Sequence, residues 1–301
     1  MATQQAARVT HGDEAVEEIY YRKGDIDFCF LLNRRQHNLR VFDYRVGNYQ
    51  QKRDFFDRIA KAEGLRKVFT VVEKQDSKSW RSVGFSREGA IPGYFRTADA
   101  YIMSRVYTDE GEPIQGGAPK LNAPNVPAPV VKETGYTKPR GWSSEIVKDL
   151  KRLEEMTAKL GTTFHYAPFR RGVFNPDVAI AAKLGKRELW FGAETDSSFG
   201  HAKLDFITPP KKEADMQATQ YGLCLLLDEL AKMHTAAVFA LVHVDDHLSA
   251  RAYGELGFKV TGRVTDHVFR GDGYIGVQIW HRRITTAITQ KMLAAATSEA
   301  S

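Results

Sequence analysis

Two carboxylates stand inside apolar runs of the C-terminal half: Asp205 in AKLDFIT and Glu194 in RELWFGAE. A carboxylate in a strand interior needs a partner or a raised pKa, and either arrangement can make it a base or an anchor for an amine. The plainer alternative for Asp205 is a solvated place on a sheet edge. Tyr253, in DDHLSARAYGELGF, lies four residues before a Gly-Phe pair and can simply be the aromatic of a buried helical face. Asp246 stands at the start of that helix, where a carboxylate caps the first turn. His243, Asp245 and His247 carry metal-ligating side chains, but a strand-to-helix transition scatters them and no further ligand cluster supports them, so no metal site is expected. The basic clusters are short: NRRQHNLR, PFRRG and HRR. They suit a phosphorylated small ligand better than a nucleic acid, because the sequence has neither zinc-finger spacing nor a long basic helix.

These groups need a scaffold, and the composition supports an ordinary folded one. The chain has 301 residues, 43% of them hydrophobic and 27% charged, with a net charge of +6. That length suits one large domain or two smaller ones. No apolar run is long enough to span a bilayer, the densest being LCLLL, and the N-terminus has no export pattern. Cys29 and Cys224 each sit in an apolar run and read as core residues, so a cytoplasmic location is expected.

Residues 108–141 carry six prolines and no helical or strand period, which marks a strap or linker. The expected division is therefore 1–107, the linker 108–141, and 142–301. In the first part, DIDFCFLLN and NLRVFDYRV read as strands, NYQQKRDFFDRIAKAEGL as a helix, RKVFTVV as a buried strand and SKSWRSVGF as a short helix. REGAIPGYF and DAYIMSRVY complete a hairpin. In the last part, Ser143 is expected to cap a helix bearing Ile146, Val147, Leu150, Leu153, Met156 and Leu160. A loop containing His165 and Tyr166 leads to a second helix near 175–184. RELWFGAE and GHAKLDFIT are strands, ATQYGLCLLLDELAKM an apolar helix, AAVFALVHV a buried strand and DDHLSARAYGEL a helix. FKVTGRV and GYIGVQIWHR are the last strands, before a helix at 284–297.

The two parts share a unit. RKVFTVVEKQDSKSWRSVGFSREG and AAVFALVHVDDHLSARAYGELGFKVTG each run buried strand, helix, Gly-Phe, strand. Repetition of a whole supersecondary unit means two copies of one fold.

The helix reading Asp246, Ser249, Tyr253, Gly257, Phe258 after a buried strand resembles the GNAT acyltransferase superfamily. AIPGYFRTADAYIMS, AKLDF and GYIGVQIW are similar to the bacterial β-lysine N-acetyltransferase group, which joins an incomplete N-terminal GNAT-like half to a complete one. The resemblance implies an α/β chain of two GNAT-like mixed-sheet halves, the first incomplete. It implies acetyl-CoA as cosubstrate and a small-molecule amine as acceptor, without membrane or nucleic-acid partners. Two parallel strands would splay to bind the pantetheine arm, involving Phe206, Ile207 and Thr208. The turn Gln217, Ala218, Thr219, Gln220, Tyr221, Gly222 would hold the pyrophosphate, with Asp246 close by. Tyr253 would protonate the departing thiolate, and Asp205 or Glu194 would act as base.

The pattern departs from the family at Gln220, where a glycine is usual, and a side chain there can block the approach of phosphate. Lys211 and Lys212 can restore phosphate affinity or remain solvated. The first half has no such glycine pair, and Trp80, at the position of Tyr253, cannot act as an acid, so that half is expected to be non-catalytic. A catalytically degenerate tandem chain that binds a protein partner is the alternative.

Overall fold

The computed structural model describes residues 5–11, 13–23, 26–43, 49–95, 97–114, 136–159, 176–206, 208–271 and 273–284. Its first half runs β1 (Gln5–His11), β2 (Asp13–Lys23), β3 (Ile26–Asn33), β4 (Asn38–Asp43), α1 (Tyr49–Glu63), β5 (Lys67–Glu73), α2 (Ser77–Ser82), β6 (Ser86–Ile91) and β7 (Ala100–Val106). The second runs β8 (Trp142–Val147), α3 (Leu150–Lys159), β9 (Val178–Leu184), β10 (Arg187–Asp196), β11 (His201–Phe206), α4 (Met216–Lys232), β12 (Ala237–His243), α5 (His247–Glu255), β13 (Lys259–Arg270) and β14 (Gly273–Arg283).

The described strands form one mixed sheet in the order β1-β2-β3-β4-β5-β7-β6-β13-β14-β12-β11-β10-β9-β8. Read from either end, that order gives the same seven-stranded unit: an antiparallel run, one parallel pair (β4 with β5, β11 with β12), then an antiparallel return. The fold is therefore α/β with two mixed-sheet halves related by a pseudo-two-fold axis. The first half is the incomplete one. Its β1 and β2 are successive antiparallel strands, whereas α3 intervenes between β8 and β9.

The halves meet where β6 pairs with β13 through Gly89 and Gly262. A Cβ on Gly262 would lie 2.5 Å from the Gly89 Cα, so only glycine allows this approach. Beyond that point each half lends a segment to the other. Phe269 donates its N–H to the Gln36 side chain at 2.6 Å, Asn38 donates to the His267 carbonyl at 3.2 Å, and Arg66 pairs with Asp266 at 2.7 Å. In return, Tyr94 stacks on His201 with ring centroids 4.1 Å apart. One hydrophobic cluster joins Ile91, Tyr94 and Ile102 to Phe239, Val264 and Ile279 across the junction.

A buried ion pair of the first half lies against the same junction. Lys67 Nζ lies 2.6 Å from a Glu88 carboxylate oxygen, and the two side chains are 0% and 3% exposed. Lys67 also donates to the Thr265 carbonyl, and the Thr265 N–H donates to Glu88 at 2.9 Å.

Two expected elements differ. Residues 142–147 are not the start of a helix capped by Ser143. They form β8, paired antiparallel with β9. The helix begins later, at Leu150, with Asp149 accepting the Arg152 N–H at 2.9 Å. The β-branched pair Ile146-Val147 suits a strand, and the helical spacing of the apolar residues extended the helix too far back. The expected second helix near 175–184 is β9. Val178, Ile180 and Ala182 face α4, while Ala179 and Ala181 face α3, so both faces are buried and the apolar run shows no strand alternation. The expected helix at 284–297, most of the linker and the loop with His165 and Tyr166 lie outside the described residues, apart from residues 108–114, 136–141 and 284.

Candidate functional site

The parallel pair β11–β12 stays in register from His201–Ala237 to Leu204–Ala240 and then ends, although both strands continue. Past that point β11 stays on its outer neighbour β10, with Asp205 opposite Gly192 and Phe206 opposite Phe191. Thr208 continues the attachment: its N–H donates to the Trp190 carbonyl at 3.1 Å, and its hydroxyl accepts the Trp190 N–H at 3.2 Å. On the other side, Leu241, Val242 and His243 stay paired with β14. Each strand thus keeps its outer partner while the ladder between the two inner edges stops, so the backbone polar groups of those edges no longer pair with each other. The backbone of Asp205 and Phe206 belongs to this edge; their side chains, and Ile207 altogether, lie outside the described residues.

Tyr253 is 1% exposed and belongs to the core cluster containing Leu204, Ala240 and Val242, the residues flanking the divergence. Its ring meets Phe258 edge-on at 5.0 Å. Gly257 has φ +80°, the left-handed conformation that ends a helix and lets the chain turn into the next strand. Asp246 caps α5: its carboxylate accepts the Ser249 N–H at 3.0 Å and the Ser249 hydroxyl at 2.7 Å.

The segment expected to hold phosphate lies in the first two turns of α4, and most of its side chains are engaged in packing. Gln217 is exposed and reaches the Thr137 carbonyl at 3.3 Å. Ala218 and Thr219 are buried. Gln220 is 3% exposed and donates to Glu255, tying α4 to α5. Tyr221 meets Trp142 edge-on at 5.4 Å. Gly222 seats the helix on Phe191, since a Cβ there would come within 2.2 Å of that ring. Its glycine identity therefore serves helix-on-sheet packing. Gly222→Ala should force α4 off Phe191 and destabilise the fold by about 1–3 kcal/mol, the usual range for an overfilled core. Calorimetric unfolding would measure this; an unchanged melting temperature would show that the helix yields freely.

Ahead of α4, Asp215 is buried and bound to Arg187 at 2.6 Å, and it accepts the Lys211 N–H at 3.0 Å. The Arg187 guanidinium holds its carboxyl below the usual range. Lys211 and Lys212 are exposed, and Arg251 on α5 pairs with Glu213 at the same end of the helices.

Glu194 lies in β10 opposite Lys203 of β11, and both are buried. Arg40, from the other half, is lowered from its ordinary pKa by burial, which Tyr94 and, less strongly, Glu194 oppose. His267, fully buried in the same region, is pushed well below its ordinary pKa by burial, with Lys67 and Lys203 adding to the effect. His243 is lowered chiefly by burial, and Asp245 pairs with Arg270 at 3.6 Å. No group of three or more metal-ligating side chains gathers among the described residues. Among them, too, no helix is long and apolar enough to cross a membrane.

The first half contains the same divergence. Its parallel register ends at Val41–Thr70, while β4 stays on β3 and β5 on β7. Trp80 occupies the place of Tyr253, edge-on to Phe85 at 4.8 Å. Neither this second divergence nor the cavity it opens could be anticipated from glycine spacing.

No family model matches the chain, and no curated protein matches it. Among solved structures, it is similar to the spermidine N-acetyltransferase of Vibrio cholerae in complex with CoA and spermine, at 13% identity over 51% of this chain and 98% of that one, with a TM-score of 0.38. It is also similar to the ribosomal-protein-S18-alanine N-acetyltransferase of Escherichia coli, at 13% identity over 48% and 95%, with a TM-score of 0.33. An N-acetyltransferase from Staphylococcus aureus Mu50 aligns at 10% identity over 48% and 99%, with a TM-score of 0.36.

Proposed function

We propose that the chain is an acyl-CoA-dependent N-acyltransferase of the GNAT type, with acetyl-CoA as cosubstrate, a small-molecule amine as acceptor and its site in the C-terminal half. The observation that carries this reading is the divergence of β11 and β12 while each keeps its outer neighbour. A pantetheine arm can hydrogen-bond to such an edge as an added strand does, beside Phe206, Ile207 and Thr208. The first-turn N–H groups of α4, around Gln217 and Ala218, then take the pyrophosphate, with the exposed Lys211 and Lys212 as cations beside them.

In the reaction, the neutral amine attacks the thioester carbonyl and forms the C–N bond. A carboxylate takes the proton from that nitrogen, with Asp205 as the first candidate and Glu194 as the second. The C–S bond breaks, and Tyr253 protonates the sulfur of the departing CoA. The amine class rests on the resemblance to the β-lysine group.

A second reading has an observation of its own. Gln220, Tyr221 and Gly222 are occupied by packing, and the Asp215 carboxylate stands at the α4 terminus. That combination favours a degenerate chain that binds a protein partner. Thermal unfolding with acetyl-CoA, desulfo-CoA and ATP separates the two. A ligand at 100 times its Kd adds about 2.7 kcal/mol, which raises the melting temperature by several degrees. A shift with both CoA ligands and not with ATP, followed by thiol release with lysine, β-lysine, putrescine or spermidine, supports the enzyme. No shift and no thiol release support the degenerate chain.

A further inference from the structure

The divergence in the N-terminal half opens a cavity of about 350 Å³ between the ends of β4 and β5 and the helices α1 and α2. This is the small end of the range for ligand pockets. Its inner wall carries a cation. Lys52 is 2% exposed, with its ammonium 5.4 Å from the Phe28 ring centroid and 5.9 Å from that of Trp80.

The pseudo-symmetry shows what this lysine replaces. Phe28 faces Asp43 in the β3–β4 register as Phe191 faces Phe206 in β10–β11, so the two rings are equivalent. Over Phe191 the helix carries Gly222; over Phe28 it carries Lys52. The space beside the diverging strands, open to a pantetheine arm in one half, is thus crossed by an ammonium group in the other. The remaining walls mix apolar side chains, Val72, Val83 and Trp80 among them, with the hydroxyls of Tyr49, Thr70 and Ser79. Two carboxylates complete the lining: Glu73, at the end of β5, and the exposed Asp76, just ahead of α2.

We propose that this cavity binds a small zwitterionic aminocarboxylate, an amino acid or β-amino acid with an apolar side chain. Its carboxylate meets Lys52, its ammonium meets Glu73 and Asp76, and its side chain lies against the valines and the Trp80 face. Charge-assisted hydrogen bonds at both ends fix the ligand's direction, and a cation near Trp80 gains from the ring's negative face. The inference does not depend on acyl transfer in the other half.

The test titrates the full chain with L-leucine, L-phenylalanine and β-leucine by calorimetry, with intrinsic tryptophan fluorescence as a second signal. The amide of each, lacking the carboxylate, and the N-acetyl derivative, lacking the ammonium, serve as controls. Saturable binding by at least one zwitterion is expected, weakened tenfold or more in both derivatives and in Lys52→Met. Asp76→Asn should weaken the zwitterion several-fold and leave the N-acetyl derivative unaffected. Because Asp76 is exposed, this variant keeps the test valid if Lys52→Met does not fold. Three results overturn the proposal: no saturable binding by any of the three zwitterions, zwitterion binding unchanged in Asp76→Asn, or displacement of the bound zwitterion by acetyl-CoA.

Discussion

Tyr253→Phe should lower kcat about 100-fold, the low end of what a general acid contributes, with little change in KM for acetyl-CoA. The substitution removes one oxygen and keeps the ring against Phe258, so the local packing survives. An acid that acts only as the C–S bond breaks is felt in kcat and not in ground-state binding. Raising the pH should not restore the variant, because the other tyrosines at this core cluster are engaged elsewhere: the Tyr136 hydroxyl donates to the Glu255 carbonyl, and Tyr221 packs against Trp142. Steady-state kinetics with the best acceptor would measure this. Turnover equal to that of the parent chain would reduce Tyr253 to a packing residue.

Lys67→Met should be the most damaging single change to stability, at about 3–5 kcal/mol. The methionine fills much of the space, but Glu88 keeps its charge at 3% exposure with its cation gone. For a chain of this size that corresponds to a fall of about 10 °C in melting temperature. Lys67→Met combined with Glu88→Leu should recover most of the loss, since a buried pair replaced as a unit by apolar groups is often neutral. The lysine comes from β5 and the carboxylate from β6, while Thr265 belongs to the other half. The single variant should therefore also loosen the contact between halves, visible as earlier proteolysis near the linker. A melting temperature within a degree of the parent would mean that the pair contributes nothing to the junction.

The periodicity that placed α1, α4 and α5 was readable because each has one apolar face against a sheet and a terminal glycine or polar stop. The repeat was readable because Trp80, Gly84 and Phe85 recur as Tyr253, Gly257 and Phe258, and such a helix–glycine–strand turn needs those residue types in that order. Burial on both faces hid β9, since Ala179 and Ala181 are as apolar as Ile180 and no alternation remains. The Ile146-Val147 pair favours a strand but also fits the helical spacing of Leu150, Leu153 and Met156, and pairing with β9 decides it. Gln220 read as an obstruction because one sequence does not show that Glu255 is its hydrogen-bond acceptor. Lys52 drew no notice for a similar reason. A lysine in the second turn of an amphipathic helix is ordinarily solvated, and only the Phe28 and Trp80 rings reveal that this one is enclosed. The exchange of segments between halves depends on residues far apart in sequence, such as Gln36 with Phe269, and no local pattern encodes it.

Hydrogen–deuterium exchange of the full chain, with and without acetyl-CoA near 100 times its Kd, tests the central claim most directly. The claim predicts slowed exchange in peptides covering 201–222, where the β11 edge and the first turn of α4 lie. It predicts no change in 38–56 or 70–83, which surround the cavity of the other half. Protection confined to the N-terminal peptides, or to neither half, would contradict it.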